Sequence, residues 1–153
     1  MNKMRRSLAS TCVALLAAAG FSVLAAPAAS AATSCSGTIT YDQTYYINGN
    51  PVAELTIYYN STNGGTNSAC LYHRGGYYGV ARQTSVQIHR CAQRSPGSGC
   101  NITASSRTDT GNFAYQAGPV GVTGTANYCV MAEGYMALNS TQTLFVNSGT
   151  RGC

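Results

Sequence analysis

The stretch TSVQIHRC, residues 84–91, decides the fold. Val86 and Ile88 fall on one side of an extended chain and Gln87 and His89 on the other, which is the period-2 pattern of a half-buried strand. The same chemistry recurs on both sides of it. Upstream, residues 37–47 (GTITYDQTYYI), 52–60 (VAELTIYYN) and 69–73 (ACLYH) are rich in side chains that suit a pleated surface. Downstream, residues 101–107, 112–116, 120–123, 128–132 and 143–147 read the same way. Asn48-Gly49-Asn50-Pro51 marks a tight turn, Gly75-Gly76 stops the third run, and Asp109-Thr110-Gly111 and Ala117-Gly118-Pro119 punctuate the later ones. Residues 60–67, NSTNGGTN, contain no apolar side chain and read as a loop. The nearest approach to a helical period is MAEGYMAL, residues 131–138, and Gly134 interrupts it. About eight to ten short strands predict an all-β fold, a small disulfide-stapled β-sandwich or β-barrel, and periodicity does not separate the two.

Ahead of this body, Lys3, Arg5 and Arg6 precede an almost wholly apolar segment, residues 8–24, and Ala29-Ser30-Ala31 follows with small side chains. These are the three zones of a secretory signal, so residues 1–31 are expected to be removed on export, leaving residues 32–153 as a single domain. No later window approaches the roughly 18 apolar residues that cross a bilayer, and no membrane insertion is expected after cleavage. Removal takes three of the nine basic residues and none of the four acids, leaving 122 residues with six arginines, no lysine and a net charge of +2. That balance gives no reason to expect a nucleic-acid partner.

Cys12 leaves with the signal. Cys35, Cys70, Cys91, Cys100, Cys129 and Cys153 remain, an even number suited to three disulfides in an oxidising compartment, with fifteen pairings open. Cys91 and Cys100 flank the turn residues Ser95-Pro96-Gly97-Ser98-Gly99, so a bridge there would staple a hairpin. For the other four the preferred pairing is Cys70 with Cys129 and Cys35 with Cys153, the latter tying together the two ends of the mature chain. The spacings lack the close pair of a zinc site, and no metal or other cofactor is expected.

Catalytic groups are few: Asp42, Glu54, Asp109 and Glu133 as carboxylates, and His73 and His89 as imidazoles. His89, on the polar side of its strand, reads as a solvated side chain. Asp109 reads as a turn residue whose carboxylate accepts backbone N–H groups, with Gly111 free to take a positive φ. Tyrosine is the stronger signal, eleven in all. The doublets Tyr45-Tyr46, Tyr58-Tyr59 and Tyr77-Tyr78 place one ring on each face of an extended chain, so one of each can stand outside the core. Tyr45, Tyr58, Tyr77 and Tyr115 are the candidate binding rings, with Arg74, Arg82 and Arg90, from a cluster that includes Arg94, as candidate grips for an anionic polymer.

The run Asp109-Thr110-Gly111-Asn112-Phe113-Ala114-Tyr115-Gln116-Ala117-Gly118-Pro119-Val120, followed by Cys129-Val130, resembles the signature region of the spore-associated protein A family of filamentous actinobacteria. LTIYYN at 55–60, then Asn63-Gly64 and Cys70, is similar to that family's first half. Cys35, Cys70, Cys129 and Cys153 fall where the family has its own cysteines, which marks Cys91 and Cys100 as an additional pair. Several relatives carry a tryptophan just after the Cys129-Val130 position, and this chain has none. The resemblance implies a small secreted β protein found with aerial hyphae or spores, and it implies no settled activity.

The expected function is therefore that of a secreted, non-catalytic protein at the cell or spore surface, binding a cell-wall polymer or a surface protein through tyrosine-rich strands. Two alternatives stand beside it. One is a secreted hydrolase, for which a cleft bringing an acid against His73 or His89 would be the sign. The other is an inhibitor of secreted proteases presenting the 91–100 loop. The sequence leaves the oligomeric state open.

Overall fold

The computed structural model describes residues 34–97 and 99–153, so the export-signal reading of residues 1–31 lies outside the described residues. Among the described residues nine strands follow one another: β1 (Thr38–Ile47), β2 (Asn50–Asn60), β3 (Thr66–His73), β4 (Arg82–Cys91), β5 (Ile102–Ser105), β6 (Asp109–Phe113), β7 (Gln116–Thr123), β8 (Val130–Ala137) and β9 (Thr143–Asn147). They form two antiparallel sheets, one of order β1-β2-β3-β7 and one of order β5-β4-β8-β9. β6 also pairs with β4, so that β5 and β6 take opposite ends of the same side of that strand. The fold is the β-sandwich of the two architectures expected.

Between the sheets lie Leu55, Ile57, Ala69 and Leu71 from one and Val86, Ile88, Val130, Ala132 and Met136 from the other, all fully buried. Their spacing by two along each strand puts the intervening side chains on the outer faces. The β1–β2 turn is Asn48-Gly49, where both residues take positive φ (50° and 79°). This is the geometry whose twist matches a two-residue hairpin, and Asn-Gly adopts it with little strain.

Four local expectations are corrected. The segment 131–138 is β8 for most of its length, because Met131, Glu133 and Tyr135 alternate with Ala132 and Met136; Gly134 breaks a helical period yet serves a strand, where a Cβ would sit 2.1 Å from the Ser85 carbonyl oxygen. β3 starts at Thr66, inside the segment read as loop, with polar residues buried there: Thr66, Asn67 and Ser68. Asp109-Thr110-Gly111 is strand β6 rather than a turn, Gly111 does not take a positive φ, and the Asp109 carboxylate instead accepts the Gly118 N–H at 2.6 Å, tying β6 to β7. Ala117-Gly118-Pro119 likewise lies within β7.

The disulfides are Cys35–Cys70, Cys91–Cys100 and Cys129–Cys153. The hairpin staple is as expected, while the pairings Cys70–Cys129 and Cys35–Cys153 are overturned. Leu71 and Ala69 take the inward places on β3, so Cys70 between them points out of the sandwich, away from the sheet that carries Cys129. The N-terminal segment covers that outer face: Ser68 Oγ donates to the Ser34 carbonyl at 2.7 Å, and Cys35 meets Cys70 there. Cys153 reaches Cys129 because Arg151 pairs with Val130 through two backbone hydrogen bonds of 2.8 Å.

Candidate functional site

The outer face of the β5-β4-β8-β9 sheet gathers the chemistry. The inward places of β4 belong to Val86 and Ile88, so Ser85, Gln87 and His89 turn outward. Register sets them in cross-strand rows: Ser105, His89 and Met131; Gln87, Glu133 and Asn147; Thr110, Ser85, Tyr135 and Phe145.

His89 is only 5% exposed, which corrects its reading as a solvated side chain. Its Nδ1 lies 2.8 Å from Ser105 Oγ and its Nε2 3.3 Å from Glu133 Oε1. A carboxylate only accepts, so with the imidazole neutral Nε2 carries the proton and Ser105 donates its hydroxyl to Nδ1. Asn147 Nδ2 donates to the other Glu133 oxygen at 3.3 Å. Glu133 is thus held from two sides while its side chain stays 45% exposed.

Beside this row stand two rings. Tyr135 and Phe145 face each other across β8 and β9 with centroids 6.2 Å apart and planes tilted by 54°, and Phe145 is 75% exposed. Hydrogen bonds from Thr110, and then from Gln83, lower the Tyr135 phenol below its ordinary pKa, a sign of an oriented hydroxyl. Ser85, Gln87, Glu133, Tyr135, Phe145 and Asn147 line a groove of about 450 Å³. Among the described residues no three His, Cys, Asp or Glu side chains converge as a metal site.

The residues singled out from sequence do not share a face. Tyr58 is on the outer face of the other sheet, its hydroxyl 2.9 Å from that of Tyr72. Tyr45 turns inward against the core, where burial pushes its phenol well above the ordinary range. Tyr77 packs on the core from the turn after β3, and Tyr115, 56% exposed, meets Tyr78 edge-on at 5.0 Å in the β6–β7 turn.

Among the described residues five of the six arginines are dispersed for a common reason: each sits over a tyrosine ring. Arg74 lies over Tyr72, Arg82 over Tyr77, Arg90 and Arg94 over Tyr128, and Arg151 over Tyr41, at 4.8 to 5.7 Å. Arg74 also makes a two-pronged ion pair with Glu54, at 2.7 and 3.0 Å. That guanidinium holds the Glu54 carboxyl below the ordinary range. These pairings lock tyrosine and arginine into the framework rather than into one binding surface.

No protein-family model matches the chain, and no curated protein or solved structure does either.

Sequence reasoning missed Gln87, Tyr135, Phe145 and Asn147 as site residues. A signal was present: Glu133 and Tyr135, and Phe145 and Asn147, are each spaced by two, so each pair shares one face of its strand. Reading 131–138 as the nearest thing to a helix hid the first pair.

Proposed function

We propose that the protein is a secreted saccharide-binding protein that holds cell-wall or spore-surface polymer on the outer face of its β5-β4-β8-β9 sheet. One observation carries this reading: the Tyr135–Phe145 pair flanks the Gln87–Glu133–Asn147 row in an open groove. A sugar ring has an apolar face and a rim of hydroxyls. Aromatic rings suit the first, while amides and a carboxylate suit the second. The three disulfides fit the oxidising surroundings this role requires. Among the described residues no helix is long and apolar enough to cross a membrane. The resemblance to spore-associated proteins fits a surface polymer as the ligand.

The test is retention of the purified protein on isolated actinobacterial cell walls at low salt and at about 0.5 M salt, where charge attraction is screened and stacking persists. Wild type is expected to be retained at both, the Tyr135→Ala/Phe145→Ala variant at neither, and Tyr115→Ala like wild type. Retention unchanged by the double substitution would overturn the proposal, as would loss of wild-type retention at high salt alone.

A second reading draws on the Ser105, His89 and Glu133 row, which brings an acid against a histidine as a hydrolase would require. Ser105 lies on the short strand β5, at the edge of its sheet. Covalent capture of Ser105 by a fluorophosphonate probe would establish this reading, and its absence at full probe excess would remove it. Inhibition through the 91–100 loop has less support. The Gly97 and Gly99 carbonyls accept from Thr150 at 3.1 and 2.7 Å, so two of the loop's carbonyls are tied to the protein's own C-terminal segment.

A further inference from the structure

We infer that the saccharide taken by this face carries a free amine, seated between Glu133 and the Tyr135–Phe145 rings. The inference rests on the saccharide-binding reading above and names the ligand class for the same groove.

Among the described residues Glu133 is the one charged side chain lining the groove. The protein's other well-held glutamate, Glu54, is neutralised by the Arg74 guanidinium at 2.7 Å. Glu133 has no such cation. Its two contacts are the Asn147 amide, which is neutral, and the His89 imidazole, which is charged only when it carries both ring protons. Each carboxylate oxygen offers two lone pairs, and the two contacts occupy one on each oxygen. Half of the accepting capacity is therefore left on a side chain 45% exposed to the groove.

The adjacent rings point to the same partner. An aromatic face is electron-rich and attracts a cation within about 6 Å of its centre. Four of the eleven tyrosines, Tyr41, Tyr72, Tyr77 and Tyr128, have an arginine over them. Tyr135 and Phe145 instead face each other at a tilt, with Phe145 standing 75% clear of the protein. A carboxylate short of a cation beside rings that face solvent suits an ammonium group. The same carboxylate would repel a uronate or a phosphate-bearing polymer. An amino sugar satisfies both features, with its ring face on Phe145, its amine toward Glu133 and its hydroxyls toward Gln87 and Asn147.

The probes are a glucosamine oligomer and its fully N-acetylated counterpart, which share a backbone and differ in charge. Both are titrated into the whole mature protein by calorimetry at about pH 7, below the roughly 7.7 to 8.0 at which an α-amino group loses its charge. An exposed ion pair together with a cation–π contact predicts about a five- to ten-fold preference for the free amine. Glu133→Gln, which keeps the shape and can still accept from His89, is expected to erase that preference while leaving the unfolding midpoint unchanged. Equal binding of both oligomers that is lost in Phe145→Ala would overturn the amine inference and leave the saccharide reading standing. A preference for the acetylated form, or one that survives Glu133→Gln, overturns it as well. Binding of neither oligomer, nor of isolated walls, would overturn the saccharide reading and this inference with it.

Discussion

Removing the Cys35–Cys70 bridge with paired alanines should destabilise the protein more than removing Cys91–Cys100. The two bridges are well matched for comparison, since each joins one fully buried or half-buried strand cysteine to a more exposed one, and Cys70 and Cys91 are both 0% exposed. The packing lost on truncation is therefore similar, and the difference comes from the chain each bridge restrains in the unfolded state. Cys35 and Cys70 are 35 positions apart and Cys91 and Cys100 are 9 apart. Loop-closure entropy puts the first at about 3.8 kcal/mol and the second at about 2.7 kcal/mol, a difference of about 1 kcal/mol. For a urea slope of about 1.5 kcal/mol/M, that becomes a midpoint difference of about 0.7 M. Urea unfolding of Cys35→Ala/Cys70→Ala and Cys91→Ala/Cys100→Ala, followed by thiol titration of the denatured chains, gives both answers. The first variant should show no free thiol, because Cys129 and Cys153 remain bonded to each other. Two free thiols would mean that Cys129 and Cys153 pair with Cys35 and Cys70 rather than with each other, and would refute the connectivity. A larger midpoint loss for the short loop would refute the entropic reasoning.

Three further outcomes follow from named contacts. Glu54→Gln should cost about 1 to 2 kcal/mol at neutral pH by loosening the Arg74 pair. The folded carboxyl is held below its ordinary 4.5, so the stability it contributes is present above that value and lost as pH falls through the folded one; the gap between variant and wild type should close in acid, and a gap that persists there counts against the pair. His73 is fully buried, and burial lowers its pKa below 6.5. Its proton binds more readily to the unfolded chain, so wild-type stability should fall as pH drops below about 6.5, and a flat denaturation profile from pH 7 to 5 would contradict this. Leu55→Ala, at a position with no exposure between the sheets, should cost about 2 to 5 kcal/mol by urea unfolding, and a loss under about 1 kcal/mol would show that the site collapses around the gap.

Much of the strand content is legible in local chemistry. The alternation of Val86 and Ile88 with Gln87 and His89 and the Asn48-Gly49 turn each act over a few residues, and each produces the strand or hairpin it implies. What depends on distant partners is not legible in that way. Cys70 looks toward Cys35 because Ala69 and Leu71 claim the core side of β3 and the N-terminal segment crosses the outer face. Asp109 reads as a turn residue, yet its carboxylate serves Gly118, nine positions on. The tyrosine doublets do announce one ring per face, but nothing local says which rings an arginine will cover. Glu133 meets His89 across 44 positions, and that meeting depends on β8 lying beside β4. The outer face of this sheet is therefore built by register, which a single strand's sequence does not carry.

The central claim is that the outer face of the β5-β4-β8-β9 sheet takes the ligand. The most direct measurement is an amide chemical-shift titration of the isotope-labelled mature protein with soluble fragments of actinobacterial cell-wall saccharide. The account predicts saturable shifts concentrated at Ser85, Gln87, Glu133, Tyr135, Phe145 and Asn147, with the opposite face around Tyr58 and Tyr72 unmoved. Shifts centred on Tyr58 and Tyr72, or none at saturating saccharide, would contradict it.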